Sequence, residues 1–408
     1  MRRVVITGMG VIAPIGLDVP SFKTNLFAGK VGVNSLTFTR PNGAVITFPC
    51  CPITDYVPEQ HFDAKRIGFY DRFAQFAVVA AREAWRDSGL TMTPELAPRS
   101  ATILGTGAGG QQTLEDSYDR MTVPTARLHP LTIPRLMSNA GASQVSMELG
   151  TQGPSFAIAS ACASATHAIG TALHMVRSGM VDMAVTGGSE ATLTFGALKG
   201  WDALRVMAPD VCRPFSKNRQ GMMLGEGGAV LILETLESAQ QRGAKIYAEL
   251  AGFGMSADAR DLTSPDADGM ARAVRGALTD AAITAEQVDY INAHGTGTRA
   301  NDLTETKALY QVFGPRAATI PTSATKSLFG HALGGAGALE MIATVLALQE
   351  QIAPPTMGFL APDPECALDI VPNASRPMKI DIALKNSFAF GGLNAVLAIK
   401  RYHAQTTS

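Results

Sequence analysis

The sequence predicts an α/β fold, and three observations support this prediction. Short runs rich in β-branched residues alternate with alanine-rich stretches of helical pattern along the whole chain. No low-complexity linker divides the 408 residues. With 46% hydrophobic and 17% charged residues, the chain also has the composition of a globular protein with a large buried core.

The predicted strands are short apolar runs bounded by glycine, proline or polar residues. In chain order they cover residues 3–7, 101–104, 156–159, 183–186, 229–233, 246–253, 288–292, 382–387 and 395–400. The predicted helices are longer runs with apolar residues at helical spacing, at residues 73–88, 163–178, 238–242, 270–282, 302–313 and 335–349. The last of these helices is apolar around most of its circumference, which predicts that it is buried.

Two of the strands occupy similar places in the two parts of the chain. One leads into the stretch around Cys162, and the other ends in "KNSFAFGG" at residues 385–392. This similarity predicts two pseudo-repeated halves packed as one unit, with an N-terminal half at residues 1–250 and a C-terminal half at residues 251–408.

Charge and cysteine content argue against several classes of protein. A formal net charge of −1 does not favour bulk attraction to nucleic acid or to a membrane surface. The five cysteines are scattered, odd in number and without a C-x-x-C pair, so they predict neither a disulfide framework nor a zinc site. The seven histidines show no H-E-x-x-H or other metal-ligand spacing, so no metal is expected.

The N-terminus "MRRVVITGMGVIAPIGL" imitates a secretory signal, with two arginines before an apolar run. Several glycines and a proline interrupt that run, and no cleavage site follows it. We therefore expect a first core strand that ends in a glycine turn. No apolar run has the length of about 18 residues that a membrane span requires, so the chain is expected to be cytoplasmic.

Cys162 lies in "AIASACASATHAIGTAL", residues 157–173, where a strand-like run becomes a helix-like one. A helix N-terminus lowers the pKa of a cysteine through its partial positive charge. The small neighbouring residues would also let a substrate approach the thiol. Taken alone, however, the residue fits better as a small buried side chain, because free cysteine is commonly buried.

Three further stretches carry residues with chemical potential. "YINAHGTGTRAND" (290–302) places His294 after a strand, in a polar turn. "TSATKSLFGHALGGAGALE" (322–340) brings Lys326 and His331 together before the buried helix, and "NSFAFGGLNAV" (386–396) is a glycine turn flanked by aromatic residues. Each stretch also has a plain structural interpretation, as a packed histidine, a capping lysine or a tight hairpin.

The four stretches together, in this order, resemble the β-ketoacyl-[acyl-carrier-protein] synthases, the condensing enzymes of the thiolase superfamily. The resemblance runs from "RRVVITGMGVIAPIG" to "NAVLAIKR". The segments "DALRVMAPDVCRPFSKNRQGMMLGEGG" and "PDPECALDIVPNASR" are most similar to the nodulation-protein-E type and to type II polyketide ketosynthases. The resemblance implies a thiolase-like fold, with its two halves in a layered αβαβα arrangement.

The resemblance also implies a role for each residue. Cys162 would accept the acyl group, and His294 and His331 would bind the malonyl thioester and assist its decarboxylation. The backbone N–H groups of Cys162 and Phe390 would form the oxyanion hole. Lys326 and Glu305 match a charge pair that orients the histidines.

Substrate contacts are implied in the same way. Thr296 and Thr298 match positions that contact the phosphopantetheine arm, and Phe390 matches the gate of the acyl pocket. Ala108 stands where elongating relatives often carry a larger side chain at the pocket floor, which predicts tolerance of long or unsaturated chains. Ala389 replaces a glycine hinge and is expected to restrict the gate, and Arg299 stands where proline is common.

The implied partner is an acidic acyl carrier protein, which also brings the phosphopantetheine, so no bound cofactor is expected. A basic docking surface for the carrier is expected among eight residues: Lys65, Arg66, Arg72, Arg127, Arg135, Arg213, Lys217 and Arg219. If reversing the charge of one of them leaves the KM for the carrier protein unchanged, that residue has no docking role. The chain is expected to form a homodimer or a heterodimer with a chain-length factor, with residues 121–147 at the interface.

Two rival functions have distinct requirements. A thiolase that uses coenzyme A needs a second reactive cysteine in its C-terminal half, where this chain has only Cys366. A non-catalytic chain-length subunit lacks the nucleophile, which this chain retains as Cys162. Both rivals are disfavoured. Within the condensing enzymes, a specialised unsaturated or polyene acyl pathway and housekeeping fatty-acid elongation both remain open.

Overall fold

The computed structural model describes residues 2–40 and 42–403 of the chain. Its strands are β1 (Val4–Ile12), β2 (Asn34–Thr39), β3 (Val45–Cys50), β4 (Ser100–Gly105), β5 (Ser155–Ile158), β6 (Met183–Glu190), β7 (Gly227–Thr235), β8 (Ala248–Ala257), β9 (Tyr290–Asn292), β10 (Thr322–Ser323), β11 (Ile352–Ala353), β12 (Arg376–Pro377), β13 (Ile382–Ala389) and β14 (Leu393–Arg401).

The α-helices alternate with these strands, as the sequence predicts. They are α1 (Val19–Phe27), α2 (Ala64–Ile67), α3 (Arg72–Ser88), α4 (Gln111–Met121), α5 (Thr132–Leu136), α6 (Ala140–Leu149), α7 (Ser164–Ser178), α8 (Phe195–Ala203), α9 (Leu236–Gln241), α10 (Ala267–Asp280), α11 (Arg299–Phe313), α12 (Lys326–Phe329) and α13 (Leu333–Glu350). No helix among the described residues is long and apolar enough to cross a bilayer.

Ten strands form one mixed sheet in the order β10-β9-β13-β14-β8-β1-β7-β6-β4-β5. The two halves of this order are equivalent, because β5-β4-β6-β7-β1 and β10-β9-β13-β14-β8 have the same sequence of parallel and antiparallel neighbours. Among the described residues, β1 and β8 join the half-sheets through two paired positions, Val5–Glu249 and Ile6–Ala248. The predicted pseudo-symmetric halves are confirmed, while the division between residues 250 and 251 stays a prediction.

Helices occupy both faces of each half-sheet. α7 and α13 lie between the halves, since each contacts strands of both. α3 and α6 cover the first half-sheet, and α10 covers the second with α11 packed against it. The layers are therefore α, β, α, β and α. As predicted, α13 is buried around its circumference, from Leu333 to Leu348.

The first strand is longer than predicted, because β1 runs through Gly8 and Gly10 to Ile12. These glycines allow α3 to approach closely, and a Cβ atom at Gly10 would lie 2.0 Å from the carbonyl oxygen of Ala80. Glycine in a strand commonly marks such a close approach. The strand end predicted at residue 7 is therefore wrong, and the expected turn lies at Ala13–Gly16, where the two residues exchange backbone hydrogen bonds.

The site loops follow equivalent strands of the two halves. The loop with Cys162 follows β5, and the loop with Lys326 and His331 follows β10, which is the counterpart of β5. His294 follows β9, whose counterpart β4 leads into the loop with Ala108. Parallel strands end at one edge of a sheet, so this topology brings residues from distant parts of the sequence to one place.

Candidate active site

Cys162 occupies a tight turn between β5 and α7, where the sequence places it. The preceding Ala161 has φ +49°, a left-handed conformation that is uncommon for residues other than glycine. Ser164 Oγ fixes the turn, since it accepts from Ser160 N at 2.8 Å and donates to Ala161 O at 2.7 Å. The turn holds the thiol at the wall of a cavity, with Cys162 only 7% exposed.

The thiol is protonated at rest. Burial raises the pKa of Cys162 to about 12, and the positive charge of Lys326 only partly opposes this effect. A helix N-terminus contributes at most about 2 kcal/mol, so burial dominates. The lowered pKa predicted from the helix start is therefore wrong in direction, and attack by Sγ requires a proton acceptor nearby.

His294 is held by its backbone and by one ring nitrogen. The backbone N–H of His294 donates to Glu305 Oε1 at 2.8 Å, and the backbone N–H of the neighbouring Gly295 donates to Glu305 Oε2 at 2.8 Å. Lys326 Nζ lies 3.2 Å from His294 Nδ1 and donates to the His294 carbonyl oxygen at 2.6 Å. A lysine ammonium has donors only, so Nδ1 accepts and the proton of the neutral ring is on Nε2.

His331 lies beside His294 in the same cavity, with ring centroids 5.4 Å apart and planes at 84°. Burial, with the charge of Lys326, lowers the pKa of both histidines well below the usual range. Both rings are therefore neutral near pH 7. A neutral imidazole can donate one proton and accept another, which suits this pair to bind an oxyanion and to receive the proton of the thiol.

The predicted charge pair of Lys326 with Glu305 is wrong. Lys326 Nζ forms its ion pair with Glu340 Oε1, and both side chains are buried. Glu305 instead binds the backbone of the His294 loop and accepts from Asn386 Nδ2 at 3.1 Å. It positions the histidine through the main chain rather than through the lysine.

Glu340 was missed by reasoning from the sequence, although a signal for it exists. It is a lone carboxylate in the apolar stretch "GALEMIATVLAL" of α13. A charged residue inside a buried helix requires a partner of opposite charge. That requirement, applied to the predicted buried helix, identifies Glu340 as a partner for a nearby lysine.

Two cavities meet at Cys162. The first, of about 310 Å³, is lined by both histidines and by Thr296 and Thr298, whose hydroxyl oxygens lie 2.9 Å apart. The second, of about 340 Å³, is lined by a set that includes Ala108. Thr296 and Thr298, predicted to contact the phosphopantetheine arm, therefore line a different cavity from Ala108, predicted to contact the acyl chain, and both cavities include Cys162.

An aromatic pair borders both cavities. The rings of Phe390 and Trp201 are stacked, with centroids 5.8 Å apart and an interplanar angle of 24°. Trp201 in α8 was not predicted as a site residue. Within the described residues, the backbone N–H groups of Cys162 and Phe390 donate no hydrogen bond, so both are available to a ligand.

The predicted docking residues divide into two groups. Four are already held in ion pairs, and Arg219 is in addition buried, with its side chain 3% exposed: Arg66 with Glu148, Arg72 with Glu226, Arg213 with Asp210 and Arg219 with Asp363. Their acidic partners offset part of their charge, and the docking role of these four positions stays a prediction. Lys65, Arg127 and Lys217 are exposed, and Arg135 is partly buried.

Cys366 lies away from this centre. It ends the short turn Pro364–Cys366 and lines neither of the cavities that contain Cys162. A thiolase requires its second cysteine at the reacting centre. The geometry therefore disfavours that rival function.

A buried thiol that shares one cavity with two neutral histidines and borders a second cavity is an arrangement suited to a thiol-dependent acyltransferase. Residues 1–239 match the family described as "Beta-ketoacyl synthase, N-terminal domain", and residues 247–360 match "Beta-ketoacyl synthase, C-terminal domain". The chain belongs to the β-ketoacyl synthase family, the acyltransferases that act as condensing enzymes.

Relatives resemble the chain over its full length. Nodulation protein E of Rhizobium sp. (strain N33) is 46% identical over 98% of this chain and 99% of its own. The 3-oxoacyl-[acyl-carrier-protein] synthase 2 of Staphylococcus aureus (strain COL) is 40% identical over 99% of both. The structure of the ishigamide ketosynthase/chain length factor is 38% identical, covers 98% of this chain and 100% of its own, and has a TM-score of 0.93. The predicted thiolase-like fold is confirmed.

Proposed function

We propose that this chain extends an acyl group on Cys162 by two carbons from a malonyl thioester of an acyl carrier protein. The observation that carries this proposal is the single cavity that contains Cys162, His294 and His331, with both imidazoles neutral. A malonyl donor fits, because its decarboxylation creates the negative oxygen that neutral N–H donors stabilise.

The reaction proceeds in two transfers. In the first, Sγ of Cys162 attacks the acyl thioester, the carrier sulfur leaves, and the thiol proton passes through a neutral histidine to that sulfur. In the second, malonyl loses CO₂ and its enolate oxygen accepts from His294 Nε2–H. The carbanion attacks the acyl-enzyme, and the oxyanion is held by the N–H groups of Cys162 and Phe390.

Collapse of this intermediate releases the β-ketoacyl carrier and returns the thiolate, which takes up one proton. The electron pair of the C–C bond that breaks when malonyl loses CO₂ becomes the electron pair of the new C–C bond to the acyl group. The reaction therefore consumes no oxidant or reductant. We therefore propose that the enzyme needs no cofactor beyond the phosphopantetheine of its carrier protein. The exposed Lys65, Arg127 and Lys217 are among the eight candidates for the contact with that carrier.

We further propose that the substrates belong to a specialised unsaturated or polyene pathway. Ala108 leaves space at the wall of the second cavity, and Trp201 offers a flat surface on which conjugated bonds can stack. The 46% identity with Nodulation protein E agrees with a specialised role. The alternative, housekeeping elongation, is supported by the 40% identity with the staphylococcal synthase, and acyl preference discriminates between them.

Substitution of Ala108 by isoleucine tests the assignment of the acyl cavity. The three added carbons occupy space that a long chain needs, so kcat/KM for long acyl carriers is expected to fall about 10-fold or more, since such a clash costs about 1–3 kcal/mol. Short acyl carriers should be affected less than about threefold. The matched control is Ala318→Ile on an exposed turn. Undiminished long-chain activity of Ala108→Ile would reject the assignment.

We propose that a second chain covers the apolar surface beside the edge strand β5. Large apolar side chains are exposed there, on β5 and on the nearby helices and loops: Tyr118, Met121, Val123, Leu128, Ile133, Met137, Met147 and Phe156. Exposed apolar side chains that gather on neighbouring elements favour an interface. Native mass spectrometry should show a homodimer or a 1:1 complex with a co-expressed chain-length factor, and Phe156→Asp should weaken it. A monomer under both conditions contradicts the proposal.

A further inference from the structure

A second buried lysine, Lys385 of β13, lies in the interior next to the condensing site. It is 0% exposed, and its Nζ lies 3.0 Å from Glu340 Oε2. Nζ also donates to Thr166 Oγ1 at 2.8 Å and to Ser387 Oγ. Two hydroxyl oxygens thus accept from Nζ, and a carboxylate oxygen faces it at ion-pair distance. An ammonium group has donors only, so these surroundings suit a charged lysine.

These contacts join the elements that carry the reacting groups. Thr166 lies in the first turn of α7, directly after the turn with Cys162. Glu340 of α13 binds Lys326 with its other oxygen, and Lys326 holds the ring of His294. One hydrogen bond therefore links Lys385 to α7, the helix that follows Cys162. Two ion pairs, both made by Glu340, link Lys385 to Lys326.

We propose that Lys385 is a second positioning cation of this site, which holds Glu340 against the helix of Cys162 and supplies positive charge for the decarboxylation step. This inference rests on the proposed condensing function. Because the site is dry, a fixed positive charge stabilises the developing enolate far more than it would in water. Without Lys385, Glu340 Oε2 is buried and faces no cation. The position of the Glu340 carboxylate, and with it the ion pair that Glu340 makes with Lys326, is then expected to change.

The charged and titratable groups around Lys385 come from several elements and define its electrostatics: Glu340 of α13, Lys326 of α12, Glu305 of α11, and the rings of His167, His294 and His331. Burial lowers the pKa of Lys385 to about 8, against the raising effect of Glu340. Lys385 is thus mostly charged at pH 7 and loses its charge as the pH rises through about 8.

The test is the pH dependence of malonyl-carrier decarboxylation by the full-length enzyme between pH 6.5 and 9.5. The wild-type rate is expected to fall with a midpoint near pH 8. Lys385→Gln should lower the rate at pH 7 by about 10-fold and abolish this fall, because the titrating group is gone. Lys379→Gln, at an exposed lysine, should keep the wild-type profile.

A second variant keeps the inference testable if Lys385→Gln does not fold. Ser387→Ala removes one acceptor of the ammonium but keeps the charge, so it lowers the pKa of Lys385 and should move the midpoint to lower pH. An unchanged midpoint in Ser387→Ala, or a wild-type alkaline fall in Lys385→Gln, overturns the inference. A wild-type enzyme without decarboxylation at any pH instead overturns the proposed function, and the inference with it.

Discussion

Replacing Cys162 with alanine is expected to abolish the acyl-enzyme and to lower the condensation rate by at least about 10³-fold. Sγ is the only thiol that lines the two cavities of the site. Because no other thiol of the described residues lines these cavities, the variant is expected to lose the first transfer. Intact-protein mass spectrometry after incubation with an acyl carrier protein measures the adduct directly.

The matched control for this experiment is Cys366→Ala. Cys366 is also buried and unpaired, with a pKa raised by burial to about 11, but it lies outside both cavities. The wild type and Cys366→Ala should gain the acyl mass, and Cys162→Ala should not. An adduct of normal size on Cys162→Ala would show that another residue is the nucleophile.

Much of this site follows from the sequence, because its main residues stand beside local signals. Cys162 follows a strand and precedes a helix, and His294 and His331 stand in glycine turns after strands. Since parallel strands end at one edge of a sheet, the predicted α/β pattern is sufficient to expect that such turns meet. The burial of α13 is likewise visible in its apolar circumference.

Other features depend on contacts that the local sequence does not contain. Lys326 pairs with Glu340 rather than with Glu305, since the choice depends on how α13 packs between the half-sheets. Arg72 appears free in the sequence, but Glu226, 154 residues away, neutralises it. The pKa of Cys162 is set by burial, which local helix chemistry does not report.

Replacing His294 with alanine is expected to separate the two transfers. It removes the Nε2–H donor to the enolate oxygen, so decarboxylation and condensation should fall by about 10²–10³-fold. The acyl-enzyme should still form, because His331 is neutral and adjacent and can accept the thiol proton. Intact mass reports the adduct, and release of labelled CO₂ from malonyl carrier protein reports the second step.

The control is His403→Ala, because the His403 side chain is 65% exposed. This variant should match the wild type in both measurements. His294→Asn restores an N–H donor near the same position and should recover part of the decarboxylation. If His294→Ala loses the adduct but decarboxylates malonyl carrier normally, the roles assigned to the histidine are wrong.

The most direct test of the central claim is condensation by the purified chain, with the proposed partner subunit added if native mass requires one. The enzyme is incubated with an acyl carrier protein and labelled malonyl carrier protein, and the carrier product is weighed. The account predicts a β-ketoacyl group two labelled carbons longer than the acyl group supplied, one CO₂ per elongated product, and no elongated product with Cys162→Ala. An acyl-enzyme that never gives an elongated product in the presence of malonyl carrier protein would contradict it.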